Sequence, residues 1–211
     1  MGGFFRRESM EPSSTLSYYE RHAQQFAEST QQVDFHAIAD RFIAMLPSDG
    51  NIMDFGCGAG RDTKYFLEKG YSVVAMDGSP ALCQLASHYT GIPIYQQLFG
   101  EFAEHEAYDG IWACASILHL PWDELQQVLG CLTTGLKSGG ILYVSFKYGT
   151  FQGIRHGRYF TDMDESRWQN LQETCPELQL EAEWVTGDVR EDRGDERWLN
   201  LLLRKRLQTM G

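Results

Sequence analysis

The chain has 211 residues, with 18 Lys plus Arg against 29 Asp plus Glu and a formal charge of −11. One α/β domain with a full core fits that length, and the acidic balance argues against a nucleic-acid or anionic-membrane partner. No stretch approaches the roughly 18 consecutive apolar residues of a membrane helix, and the first residues lack a signal-peptide core.

Five cysteines, Cys57, Cys83, Cys114, Cys131 and Cys175, show no CxxC spacing. An odd set of thiols, mostly in apolar runs, predicts reduced cysteines in a cytoplasmic protein and argues against a zinc site. Residues 1–14 read as a flexible leader, in which Arg6 breaks the myristoylation pattern that Gly2 would open. Residues 15–211 then read as a single domain.

Tyr18, Tyr19, His22 and Phe26 recur at helical spacing, and a second helix carries Phe35, Ile38, Phe42 and Leu46 before Pro47 stops it. Ile52–Phe55 is a short apolar run ending in glycines, hence a buried strand. Thr63–Lys69 is a helix closed by Gly70, and Tyr71–Met76 a second strand ending at Asp77. Ser79 is a good N-cap with Pro80 at the first helical position. A weak strand at Ile94-Tyr95 and a strong one at Tyr108–Cys114 follow. Next come a helix from Pro121 and, after Gly139-Gly140, a strand Ile141–Phe146. Such alternation predicts a doubly wound, Rossmann-like α/β fold: a parallel sheet with helices on both faces.

Lys147–Phe160 reads as a long connection, and Asp162–Glu173 as a helix with Thr161 as its cap. Leu178–Val189 and Trp198–Arg204 read as an antiparallel hairpin at the sheet edge, with Trp184, Trp198 and Leu201 packing it.

The chemistry concentrates at Asp54-Phe55-Gly56-Cys57-Gly58-Ala59-Gly60. Alternating glycines at a strand-to-helix turn let backbone approach a ligand. Asp77 ends the next strand, 23 residues after Asp54, where a carboxylate can accept hydrogen bonds from a ribose diol. The dinucleotide pattern GxGxxG fits neither register: its sixth position would be Arg61 or Thr63. An acid two residues before the first glycine suits a cationic ligand better than a pyrophosphate.

The DxGxGxG run resembles motif I of the class I S-adenosylmethionine-dependent methyltransferases. Tyr108-Asp109-Gly110-Ile111-Trp112 is similar to the family's fourth strand, Leu136-Lys137-Ser138-Gly139-Gly140 to the LKPGG turn before its fifth, and the final hairpin to its last two strands. Tyr18-Tyr19-Glu20 with Phe26-Ala27 is similar to the amino-terminal lid helix of small-molecule members. Gly60-Arg61-Asp62 most resembles the tellurite-resistance (TehB-like) branch. The resemblance covers roughly residues 15–205. It implies a seven-stranded sheet with an antiparallel last strand, a helical lid at 15–46, a cofactor-binding core at 51–146, and a substrate loop, helix and hairpin at 147–205.

The resemblance also implies a site. Asp54 with Gly56, Gly58 and Gly60 would hold the methionine part of S-adenosylmethionine, with Cys57 and Arg61 also at the cofactor. Asp77 would take the ribose hydroxyls, with Gly78 and Ser79 also at the cofactor. Cys114 and Ala115 follow the fourth strand, and Tyr18, Tyr19 and Phe26 come from the lid. The region Gln96–Glu101 lacks the acid that many members place against adenine, so the base would be sandwiched by Phe99 and read by backbone. Arg61 can either neutralise the cofactor carboxylate or pair with a nearby acid.

For the acceptor, Cys114-Ala115-Ser116-Ile117 lacks the [D/N]PP[Y/F] motif of amino-methylating DNA enzymes, and Ala113-Cys114 lacks the Pro-Cys of C5-cytosine enzymes. His119 is either a general base or a residue ordering the turn into Pro121. Lys147, Tyr148, Arg155, Arg158 and Tyr159 gather cations and aromatics at the ligand end of the sheet. They either bind a small anionic substrate or pair with Asp162, Asp164 and Glu165. The reading is methyl transfer from S-adenosylmethionine to a small acceptor by a monomer or weak homodimer. A protein methyltransferase and a non-catalytic cofactor-binding protein are the alternatives.

Overall fold

Along the described residues of a computed structural model, 14–189 and 194–207, six α-helices and nine strands follow one another. They are α1 (Ser14–Thr30), α2 (His36–Ile43), β1 (Asn51–Phe55), α3 (Arg61–Glu68), β2 (Ser72–Asp77), α4 (Pro80–Thr90) and β3 (Tyr95–Gln96). Then come β4 (Tyr108–Ala113), α5 (Trp122–Gly135), β5 (Leu136–Lys147), β6 (Gln152–Arg155), β7 (Arg158–Thr161), α6 (Glu165–Gln172), β8 (Leu178–Gly187) and β9 (Arg197–Lys205). Ser14, expected in the leader, opens α1 instead; the rest of the leader lies outside the described residues. No helix among those described is long and apolar enough to cross a membrane.

Seven strands form one sheet in the order β3-β2-β1-β4-β5-β9-β8. The first five are parallel, and β9 runs antiparallel to both of its neighbours. This is the doubly wound sheet that the alternating pattern predicts. Its order reverses between β1 and β4, so a crevice opens at the carboxyl ends of that pair.

Side-chain alternation splits the core between two faces. Met53, Phe55, Ile111 and Val144 pack with Leu125, Leu129 and Leu132 of α5 and Trp168 of α6. Ile52, Trp112 and Tyr143 pack with Phe42 of α2 and Phe66 of α3. Asp54 shares the face of Ile52 and is buried. Local signals set the ends of α4: Ser79 accepts the Leu82 amide at 3.3 Å, Pro80 opens the helix, and Gly91 leaves it at φ 79°.

Two expectations fail in the carboxyl-terminal third. Lys147–Phe160 is not an open connection but holds the antiparallel hairpin β6–β7. Its two-residue turn, His156-Gly157, takes φ of 49° and 76°, the left-handed pair that a tight hairpin requires. The α6 cap is Asp164, which accepts the Arg167 amide at 2.8 Å. Thr161 is committed to β7, and its hydroxyl donates to the Leu120 carbonyl.

Candidate active site

At the end of β1 the chain turns through the glycine loop into α3. Gly56, Gly58 and Gly60 sit at φ 79°, 56° and 86°, where L side chains are strained. A Cβ on Gly56 would lie 2.6 Å from the Ser116 Cβ and 3.0 Å from the Phe99 ring. The Gly56 and Cys57 amides both donate to the Met76 carbonyl at 2.9 Å, tying the loop to β2. Ala115, just past β4, also takes a positive φ of 50°; its amide donates to the Ser145 hydroxyl. Strain of this kind collects at binding sites, where the surrounding fold holds it in place.

Two acids face this loop, Asp54 buried and Asp77 half-buried. Asp54 accepts a hydrogen bond from the Thr63 hydroxyl. Burial, with repulsion from Asp62, raises its pKa to about 8 against the Thr63 hydrogen bond. Asp77 accepts the Gly58 and Ser79 amides at 2.9 Å each. Burial raises it to about 6 while those amides hold it down. Arg61 compensates Asp54 only in part, through its charge and without a hydrogen bond. Its guanidinium grips Asp62 with two bonds of 2.6 and 2.8 Å, and Asp62 also accepts the Trp112 indole N–H at 2.9 Å. Of the two roles open to Arg61, the structure builds the ion pair.

A cavity of about 1010 Å³ runs from the loop, beneath α1, to β7 and the edge hairpin. Its far end is basic. His119 Nδ1 faces the Tyr159 carbonyl at 2.7 Å, and a carbonyl only accepts, so Nδ1 carries the proton. Nε2 of the neutral ring then accepts the Tyr19 hydroxyl at 2.9 Å. Burial, aided by the Arg158 and Lys147 charges, lowers the His119 pKa to about 4 against that carbonyl bond.

The cations of this region separate clearly. Arg155 pairs with the buried Asp162, and Lys147 pairs with Glu196 at 2.6 Å. Arg158 makes no ion pair among the described residues. Its guanidinium lies over Tyr18 at 4.6 Å and Phe160 at 5.2 Å. Its Nη1 donates to the Tyr19 oxygen at 3.3 Å, and its Nε is buried with no hydrogen-bond partner.

Most of the residues that the sequence nominates meet at this cavity. Tyr19, Phe26, Asp54, Gly56, Cys57, Gly58, Arg61, Asp77, Gly78, Phe99, Cys114, Ala115, His119, Lys147, Arg158 and Tyr159 all line it. Five nominated residues do not. Gly60 packs against Thr90 and Ala86. Ser79 donates to Glu20 in a neighbouring groove. Tyr18 stacks against the Arg158 guanidinium. Tyr148 donates to Glu165 at 3.0 Å, and Arg155 is taken by Asp162. For Arg155 the pairing alternative holds, because a nearby buried carboxylate competes for its fork.

Sequence reasoning missed four participants. Thr63 supports Asp54, Thr15 accepts the Tyr159 amide at 2.9 Å, and the buried Ser116 hydroxyl has no partner. Trp198, expected only to pack the hairpin, also lines the cavity and donates to Asp188. Of these only Thr63, on the first turn of the helix after the loop, carries a readable positional signal.

Residues 52–140 match the family model described as a methyltransferase domain. No curated protein matches the chain. Among solved structures, the fold is shared with 1,6-didemethyltoxoflavin-N1-methyltransferase of Burkholderia thailandensis, crystallised with 1,6-didemethyltoxoflavin and S-adenosylhomocysteine. The TM-score is 0.73 at 21 % identity, over 90 % of this chain and 85 % of that one. The N-methyltransferase NodS of Bradyrhizobium japonicum, crystallised with S-adenosylhomocysteine, aligns at TM-score 0.65 and 15 % identity, over 88 % of this chain and 97 % of that one. The [4+2]-cyclase SpnF aligns at 0.70 and 12 % identity, over 95 % and 100 %.

Proposed function

We propose that this methyltransferase passes the methyl group of S-adenosylmethionine to a small anionic acceptor held by Arg158, releasing S-adenosylhomocysteine. The residues present fit the donor. Asp54, buried, and Asp77, half-buried, have raised pKa values and no cation hydrogen-bonded to them among the described residues; a ligand carrying ammonium and sulfonium charges supplies one. The positive-φ glycines leave the backbone bare beside them. When bound, the donor supplies a methyl already activated by its sulfonium, so the chain's own residues mainly orient the acceptor and exclude water.

The observation that carries the anionic acceptor is Arg158: a buried guanidinium nitrogen without a partner, lining the cavity, in a chain of net charge −11. A buried guanidinium N–H without a partner is costly, and a carboxylate or oxyanion from the ligand removes that cost. Small acids and metalloid oxyanions are the acceptors to screen, the latter in keeping with the TehB-like features at Gly60-Arg61-Asp62. The five free thiols fit a reducing, cytoplasmic setting.

The test is methyl transfer from labelled donor to a panel of small acids and oxyanions. Arg158→Met should raise KM for the acceptor at least tenfold, since charge-assisted bonds contribute roughly 1.5–3 kcal/mol, and leave S-adenosylhomocysteine affinity in place. Unchanged KM would remove the anion reading, and a labelled protein band without a labelled metabolite would favour a macromolecular acceptor. Because a cyclase shares the fold, transfer itself must be shown by product.

A further inference from the structure

The basic end of the cavity holds more than an anion site. The Tyr19 hydroxyl has one proton and two lone pairs. Its proton points to His119 Nε2, and one lone pair accepts Arg158. The second lone pair is left for a ligand in the cavity that Tyr19 lines. The Tyr19 ring is fixed by an edge contact with Phe26 at 5.2 Å. The His119 ring is fixed by the Tyr159 carbonyl, and the Tyr159 amide in turn by Thr15.

We propose that Tyr19 and His119 form a proton relay for the acceptor, and that the acceptor's anionic group, seated on Arg158, switches the relay on. The inference rests on methyl transfer to an anionic acceptor. The acceptor's lone pair takes the methyl carbon, leaving the carbon–sulfur electron pair on sulfur. The acceptor's proton moves to the Tyr19 oxygen as the Tyr19 proton moves to His119 Nε2. The imidazolium later returns that proton to water.

The switch follows from what surrounds His119. Tyr19 reaches it from α1, Arg158 from β7, and Lys147, itself paired with Glu196, from β5; the Phe160 ring lies against it at 4.8 Å. Burial and the two cations oppose an imidazolium here, so the ligand-free ring is a weak base. An anion on Arg158 cancels the charge that Tyr19 bridges to the ring, and proton affinity rises. A neutral ligand of the same shape leaves the relay off.

The test uses protein labelled with nitrogen-15 at histidine and holding S-adenosylhomocysteine. Its His119 resonance is identified by loss in His119→Asn. Sulfate serves as the anion, with chloride at equal ionic strength as reference. In chloride, His119 should stay neutral with its proton on Nδ1 from about pH 5.5 to 8. Sulfate should raise its proton affinity about tenfold or more, and Arg158→Met should do so without sulfate and abolish the sulfate response. A proton found on Nε2 overturns the relay. A titration moved by neither sulfate nor Arg158→Met overturns the switch. Tyr19→Phe keeps the ring and should lower turnover about a hundredfold, with S-adenosylhomocysteine affinity within about twofold; loss of affinity with unchanged turnover would make Tyr19 a lid clamp alone. Label transfer is read separately, so a silent acceptor screen counts against the methyl-transfer reading while the His119 titration still decides the relay.

Discussion

Replacing Asp54 by asparagine should stabilise the ligand-free protein while it weakens cofactor binding. The Asp54 carboxyl is 2 % exposed and holds its proton up to about pH 8, chiefly through burial and then through Asp62. In the unfolded chain it ionises near 3.9. Between these values the folded state binds a proton that the unfolded state has released, so stability falls as pH rises through the window. Each pH unit costs about 1.4 kcal/mol, which amounts to about 4 kcal/mol between pH 5 and pH 8. The asparagine amide does not titrate, and its oxygen still accepts the Thr63 hydroxyl. The gap between Asp54→Asn and the parent should therefore widen by about that amount, roughly 10 °C in Tm for a domain of this size. The assay is thermal denaturation without cofactor at several pH values from 5 to 8. Parallel curves for the two proteins would refute the reasoning, since they would mean that the carboxyl is already ionised in the fold. Titration calorimetry of Asp54→Asn with S-adenosylmethionine should show weakened binding, because the variant no longer offers the donor a negative charge.

Other perturbations act on single contacts. Asp77→Ala removes the acceptor of the Gly58 and Ser79 amides; S-adenosylhomocysteine affinity should fall about a hundredfold by calorimetry. Gly56→Ala places a methyl 2.6 Å from Ser116 at φ 79°; urea unfolding should show a loss of about 1–3 kcal/mol, with the cofactor site obstructed. Trp112→Phe deletes the indole donor to Asp62 and reduces a stack on Tyr143 with centroids 3.9 Å apart; a loss of about 2–3 kcal/mol is expected in the same assay.

The parallel half of the fold was legible because its signals are local and mutually consistent. Apolar runs end in glycine, Ser79-Pro80 starts a helix, and Gly91 stops it. The hairpin at 152–161 was not, because its turn is His156-Gly157 rather than the Asn-Gly or Asp-Gly that marks such turns. Its register also leaves Ile154 exposed, so no apolar alternation announces a strand. In the site, the glycine loop and Asp77 could be read because their spacing is fixed by the strand-to-helix turn. Arg155 and Arg158 could not be told apart by composition. They pair across the β6–β7 turn, and only the fold decides which of them meets Asp162. Thr15 and Tyr159 lie 144 positions apart, beyond the reach of any local pattern.

The unbalanced charges at the two ends of the cavity are of opposite sign, and that constrains the ligands together rather than singly. Asp54 is offset only in part by Arg61, whose guanidinium is bonded to Asp62, and Asp77 is held down by backbone amides rather than by a cation. Arg158 makes no ion pair among the described residues, while the neighbouring Arg155 is held by Asp162. A cationic donor alone would relieve the first end and leave the guanidinium's buried nitrogen unpaired; an anionic acceptor alone would leave Asp54 protonated near neutral pH. With both bound, each charge has a counter-charge inside a space from which water is largely displaced, where such pairs count for more than in solution. The two ligands should thus strengthen each other's binding. S-adenosylhomocysteine, which keeps the ammonium but lacks the sulfonium, should do so less than S-adenosylmethionine, a difference that favours release of the product pair.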